Sequence, residues 1–153
     1  MTKNDVIPAL IAQLESRIAV LKSALAETTE NASGEETRSE GKYDTRAIEA
    51  AYLASAQREQ LALAEESLAR FKTFDFPAFA FNDEIAPGAL VEVDQEGEIC
   101  FYLLGPAAGG LMAEYLGCEL TVITPESRLF GELVGRKPGD TIEHPSLTIS
   151  GVE

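Results

Sequence analysis

The chain has 153 residues, 45% of them hydrophobic, and carries 26 Asp and Glu against 12 Lys and Arg, for a formal charge of −14. That length and apolar content suit one ordinary domain or two small ones with a folded core, and exclude a disordered acidic tail. The shortage of cations excludes direct gripping of nucleic-acid phosphates, no apolar run is long enough to span a bilayer, and MTKNDVIPAL lacks the layout of a signal peptide. The expectation is therefore a cytoplasmic protein that makes no membrane contact.

Residues 3 to 30 read as a first helix, with Asn4 or Asp5 as N-cap and Pro8 tolerated in the first turn. Ile7, Ile11, Leu14, Ile18, Leu21 and Leu25 recur at alternating steps of four and three, the seam of a coiled coil. A second helix from Asp44 or Thr45 to Phe71 repeats the rhythm with smaller residues: Ala47, Ala50, Ala54, Gln57, Leu61, Ala64, Leu68 and Phe71. A large stripe facing a small one lets the axes approach closely, and at 1.5 Å per residue each arm would extend about 40 Å. Between them TTENASGEETRSEGKYDT is polar and contains two glycines, which places the reversal of a hairpin there. Residues 27 to 44 carry Glu27, Glu30, Glu35, Glu36, Glu40 and Asp44 against Arg38 and Lys42, so the apex is acidic.

Phe71, Phe74, Phe76, Phe79 and Phe81 then crowd into a segment interrupted by Pro77 and Pro87. They could form a docking patch, but the favoured reading is that they pin the base of the hairpin, because such a cluster left exposed would invite aggregation. From Ala89 the pattern becomes strand-like. ALVEVD turns at QEGE and resumes as ICFYLLG, and LTVIT, DTIEH and SLTISGVE supply three more strands, with ESRLFGELVG as a short helix or turn. The fold class expected is α+β: an N-terminal antiparallel coiled-coil hairpin followed by a small antiparallel sheet with a short helix. The expected divisions are 1–73 for the hairpin with its tip near 31–44, 74–86 for the Phe-rich linker and 87–153 for the C-terminal domain.

Other residues carry less chemistry. Cys100 and Cys118 read as buried, reduced thiols, with a disulfide between them left open. Gly105, Gly109 and Gly110 read as a loop, since no Gly-Lys-Ser/Thr follows, and His144 stands without metal-spaced partners. Arg38, Lys42 and Arg46 could meet phosphate or pair with Glu35, Asp44 or Glu49, with local pairing favoured. Tyr43 could stack on a base or close the seam.

A helical hairpin followed by a β-rich domain containing PGALVEVDQEGEICFYLLG and VITPESRLFGELVGRKPGD resembles the Gre transcript-cleavage factors of bacterial RNA polymerase. The specific support lies in residues 87 to 140, ending in Val134, Gly135, Arg136, Lys137, Pro138, Gly139 and Asp140. The resemblance implies an FKBP-like second domain and an accessory factor rather than an enzyme. It implies one partner, bacterial RNA polymerase, with RNA or DNA met only through it. The factor would act as a monomer with no stably bound cofactor, docking at the secondary channel while its tip helps hold a catalytic Mg²⁺ of the polymerase.

Mapped onto this chain, Ser39 and Glu40 match the family's Ser-Glu pair, but Thr37 stands where an aspartate is expected. The candidate carboxylates are Glu40 first, then Glu36 and Asp44, then Glu35. The turn that the family uses for polymerase contact maps to Ser127, Arg128, Leu129 and Phe130, with Pro125 just before it; Arg128 replaces a proline and Phe130 a glycine. Three functions stay open: stimulated RNA cleavage, occupation of the channel without cleavage, and a protein-binding rod unrelated to transcription.

Overall fold

The computed structural model describes residues 1–33 and 45–153. The chain divides into two compact units, Gln13–Glu66 and Met1–Ala12 together with Ser67–Glu153. Helix α1 spans Lys3–Ser33 and helix α2 spans Thr45–Thr73, so each helix contributes residues to both units. The cap of α1 lies at Thr2, ahead of the expected Asn4 or Asp5. The backbone N–H and hydroxyl of Thr2 both donate to Asp5 Oδ2, at 2.7 and 3.0 Å, which supplies the returning half of a capping box. That backbone bond is the main reason the Asp5 carboxyl titrates below its usual range.

In the helical unit the expected seam is present. Leu14 and Ile18 of α1 and Ala54 of α2 are buried, while Leu21, Leu25, Ala47, Ala50, Gln57, Leu61 and Ala64 are half-buried. Ala54 is only 3% exposed, so the small side chain is what the space admits. Gln57 interrupts the apolar stripe, and its buried Oε1 has no hydrogen-bond partner. Lys22 Nζ lies 3.8 Å from Glu65 Oε1, but both side chains are exposed and the pair adds little.

The other unit is built on six strands: β1 Leu90–Gln95, β2 Glu98–Leu104, β3 Met112–Tyr115, β4 Cys118–Ile123, β5 Thr141–Glu143 and β6 Ser146–Val152. Helix α3, Arg128–Leu133, lies between β4 and β5 in the chain. Their order across the sheet is β3-β4-β2-β1-β6-β5. The β1–β2 hairpin turns where expected, with Glu96 and Gly97 both at positive φ (55° and 88°), the pairing that a two-residue turn requires.

Four pairings are antiparallel and the fifth, β2 with β4, is parallel. The cause is β3, which is not among the strands expected from the sequence. Its insertion lets the chain leave β2, form the sheet edge, and return through Leu116 and Gly117 so that β4 runs alongside β2 in the same direction.

The pleat sorts side chains onto two faces. Val91, Val93, Leu104, Ile123, Ile149 and Val152 share a core with Ile85, Ile142, Leu147 and the α3 residues Phe130 and Leu133. Leu90, Phe101, Leu103, Tyr115, Leu120 and Val122 fall on the opposite face and are buried as well, as are Val6 and Leu10 in the first turns of α1. Of the phenylalanine cluster, Phe71 is buried and Phe74, Phe76 and Phe79 are half-buried. Phe76 meets Phe71 and Phe74 at centroid distances of 5.2 and 4.8 Å, while Phe81 remains 64% exposed.

One polar node closes this unit. Lys3 is 3% exposed, and its ammonium donates to the carbonyls of Pro77, Gly88 and Glu153. The Lys3 N–H donates to Glu153 Oε1 at 3.0 Å, Tyr115 donates to Glu153 Oε2 at 2.8 Å, and the ammonium lies 5.0 Å from the Phe79 centroid. Burial pulls the Lys3 pKa down against the opposing pull of Glu153. A buried charge of this kind is tolerable only when its donors are spent, as they are here.

Candidate functional site

The acidic candidates Glu35, Glu36, Glu40 and Asp44, together with Thr37, Arg38, Ser39, Lys42 and Tyr43, lie outside the described residues. Arg46 is exposed on the first turn of α2 and is engaged in an interaction of its own.

The second candidate region begins where β4 ends. Ser127 N–H donates to Thr124 O at 2.8 Å, turning the chain into α3, and Ser127 occupies the cap position with extended backbone but no side-chain cap bond. Phe130 and Leu133, three apart, enter the core and fix the face of this short helix. After α3, Gly135 donates to Ile85 O and accepts the chain reversal at φ 86°, while Ile85 N–H donates to Arg136 O; both bonds measure 2.8 Å. Lys137 N–H donates to Asp140 Oδ2 at 2.9 Å and closes the following turn. Pro125 and Arg128 are exposed, Ser127 and Leu129 are half-buried, and Phe130 is 7% exposed. The outward side chains of the segment are thus Pro125, Glu126 and Arg128, because Phe130 is committed to packing.

Arg128 opens onto a groove of about 390 Å³ lined by Glu132, Arg136, Thr141, Ile142, Glu143 and His144 as well. Arg128 Nε donates to Glu132 Oε1 at 3.1 Å, and Arg136 Nε donates to the Glu132 backbone carbonyl at 3.2 Å. Among the described residues Arg136 forms no ion pair. Sequence reasoning passed over Arg136 and His144 as groove residues. The spacing of Arg128, Glu132 and Arg136 at successive steps of four was the available signal; the approach of β5 was not visible.

A second groove, about 640 Å³, includes Gln95, Cys100, Tyr102, Cys118 and Glu119 in its lining. Both cysteines are free and half-buried. Tyr102 donates to Gln95 Oε1 at 3.1 Å, and Cys100 Sγ lies 3.7 Å from the same oxygen. Burial above all pushes the Cys100 thiol and the Tyr102 phenol upward, the opposite of the shift that activates a thiol. Among the described residues no group of three or more His, Cys, Asp or Glu is arranged to hold a metal ion, and no helix is long and apolar enough to cross a membrane.

No family model and no curated protein matches the chain. Among solved structures, GreA factor homolog 1 (Gfh1) of Thermus thermophilus is similar at 14% identity and a TM-score of 0.36, with 94% of each chain covered. A likeness at that level identifies neither a family nor an activity.

Proposed function

We propose that this chain is an accessory factor of bacterial RNA polymerase that presents its acidic segment to the polymerase active site and stimulates cleavage of backtracked RNA. The observation that carries the reading is the order of parts. A helix pair with a large-and-small seam brackets an acidic run, and a sheet unit follows that contains the VITPESRLFGELVGRKPGD segment. The Ala-rich stripe of α2 supports a slender delivery element, since a small buried residue such as Ala54 lets the helix that packs on it approach closely.

The chemistry asked of the chain is limited. Mg²⁺ takes hard oxygen ligands and often only one or two protein carboxylates, keeping water and phosphate oxygens in its other positions. In a two-metal displacement the ions stabilise the attacking and leaving oxygens, and those ions belong to the polymerase. Glu40, Glu36 and Asp44, with Glu35 behind them, would supply the carboxylates. The chain itself is not the enzyme, and its place of work would be the cytoplasm, as a monomer. Thr37 at the position of the family's aspartate favours a second reading, in which the segment occupies the channel and inhibits without supporting cleavage.

A cleavage assay on stalled, backtracked complexes separates the two. The expected result is release of short 3′ RNA fragments on addition of the chain, reduced at least roughly tenfold by combined Glu36→Ala, Glu40→Ala and Asp44→Ala, equivalent to about 1.4 kcal/mol of barrier. No release despite co-purification with the polymerase overturns the cleavage reading and leaves the second, a regulator or inhibitor that occupies the channel. Failure to co-purify at low salt removes both.

A further inference from the structure

From Phe74 to Glu153 the chain contains fourteen Asp and Glu but only three cationic residues, Arg128, Arg136 and Lys137. All three fall within ten residues, on α3 and the turn that follows it. Within the groove Arg128 and Arg136 stand against Glu132 and Glu143, so its formal charge balances; Arg128 is paired with Glu132, and Arg136 forms no ion pair among the described residues, which leaves one guanidinium to take an outside carboxylate. Beside the two arginines runs β5, the last strand of the sheet, which among the described residues is bonded only to β6. Alternate N–H and C=O groups of its outer side are left for another strand, the usual opening for an added peptide.

We infer that the groove between α3 and β5 binds an extended acidic peptide segment of a partner protein, which adds to β5 as a further strand and places its carboxylates against Arg136 and Arg128. Arg136 is the principal anchor. Its Nε is spent on the Glu132 carbonyl, which fixes the guanidinium plane while its terminal N–H groups remain able to take a carboxylate two at a time. Arg128 is half-committed, since Glu132 already holds its Nε. Glu143, at the β5 side of the groove, opposes an incoming acid and sets which end of the peptide carries charge. The inference extends the docking role of Arg128 and does not depend on which protein supplies the segment.

The test uses the full chain and a fluorescein-labelled, end-capped hexapeptide alternating valine with glutamate, followed by anisotropy at about 0.01 M salt, where the screening length is about 30 Å. Saturable binding is expected, with Arg136→Ala weakening it about tenfold or more, the loss of a hydrogen bond to a charged group. Glu143→Gln is expected to tighten it, and added salt to weaken it. A peptide with lysine in place of glutamate, and one N-methylated at alternate amides, are both expected to fail. Absence of saturable binding overturns the inference, as does equal binding of the lysine peptide. Undiminished binding of the N-methylated peptide overturns strand addition, and Arg136-dependent self-association that the peptide does not compete assigns the edge to a second copy instead. If the peptide fails while polymerase still co-purifies with the chain, this inference falls and the proposed function stands; the converse result has the opposite meaning.

Discussion

Gly88 lies where the linker, the sheet and the first turn of α1 converge, and replacing it tests whether that convergence is rigid. Its φ is +95°, and a Cβ built there would sit 2.6 Å from Pro77 Cδ and 3.1 Å from Phe74 Cε1. The Gly88 carbonyl also accepts from the Lys3 ammonium at 3.2 Å, and its N–H donates to Leu104 O at 2.7 Å, so the backbone cannot swing away without breaking both. Gly139 supplies the control, because its φ is nearly the same at +96° while a Cβ there would meet nothing within 4 Å. Left-handed backbone costs an alanine about 1–2 kcal/mol, which both substitutions incur. Overpacking against a ring that cannot rotate aside adds about 1–3 kcal/mol at Gly88 alone. Gly88→Ala should therefore lose about 2–5 kcal/mol and Gly139→Ala about 1–2 kcal/mol. At about 2–4 °C per kcal/mol for a chain of this size, the melting temperatures of the two variants should separate by roughly 2–12 °C. Thermal unfolding followed by circular dichroism, repeated in urea, measures the difference. Equal losses in the two variants would refute the claim that Pro77 and Phe74 press on this glycine.

Three further outcomes rest on separate features. Ala54→Leu, inserting bulk at a buried seam position, should destabilise the helical unit by about 1–3 kcal/mol, read as earlier loss of helical ellipticity. Gln57→Leu should do the reverse and stabilise it by about 1–2 kcal/mol, because a buried amide oxygen without a partner is exchanged for hydrocarbon; an unchanged urea midpoint would argue that water satisfies that oxygen. Burial, reinforced by its bond to Glu153, raises the Tyr115 pKa, so the folded state holds that proton more tightly than the unfolded chain. The associated stability is fully present below pH 10, the ordinary tyrosine value, and is lost as pH rises from there toward the higher folded pKa. Tyr115→Phe should remove that part of the alkaline slope while costing some stability at neutral pH, measured as urea midpoints at two pH values.

What could be read from the sequence, and what could not, follows from how each residue comes to be buried. The seam was legible because its burial repeats: Leu14, Ile18 and Ala54 obey a spacing that any helix of this period imposes. The β1–β2 hairpin was legible for the same kind of reason, since Glu96 and Gly97 occupy the short polar interruption between two alternating runs. Strand β3 has no such mark. Its four residues come soon after Gly109 and Gly110, and of them Tyr115 alone is a strong strand former, so the strand depends on β4 lying beside it to pair with.

Lys3 is the extreme case. Nothing in its neighbours Thr2 and Asn4 indicates a buried ammonium, because its acceptors at Pro77, Gly88 and Glu153 come from three distant parts of the chain. The groove beside α3 divides along the same line. The steps from Arg128 to Glu132 to Arg136 are local in sequence, although Arg136 lies beyond the end of α3, whereas the open edge of β5 beside them is a product of sheet order. A functional surface made by two such contributions is only half visible to periodicity. Its readable half is the charge, and its hidden half is the backbone edge that would give that charge an extended partner to hold.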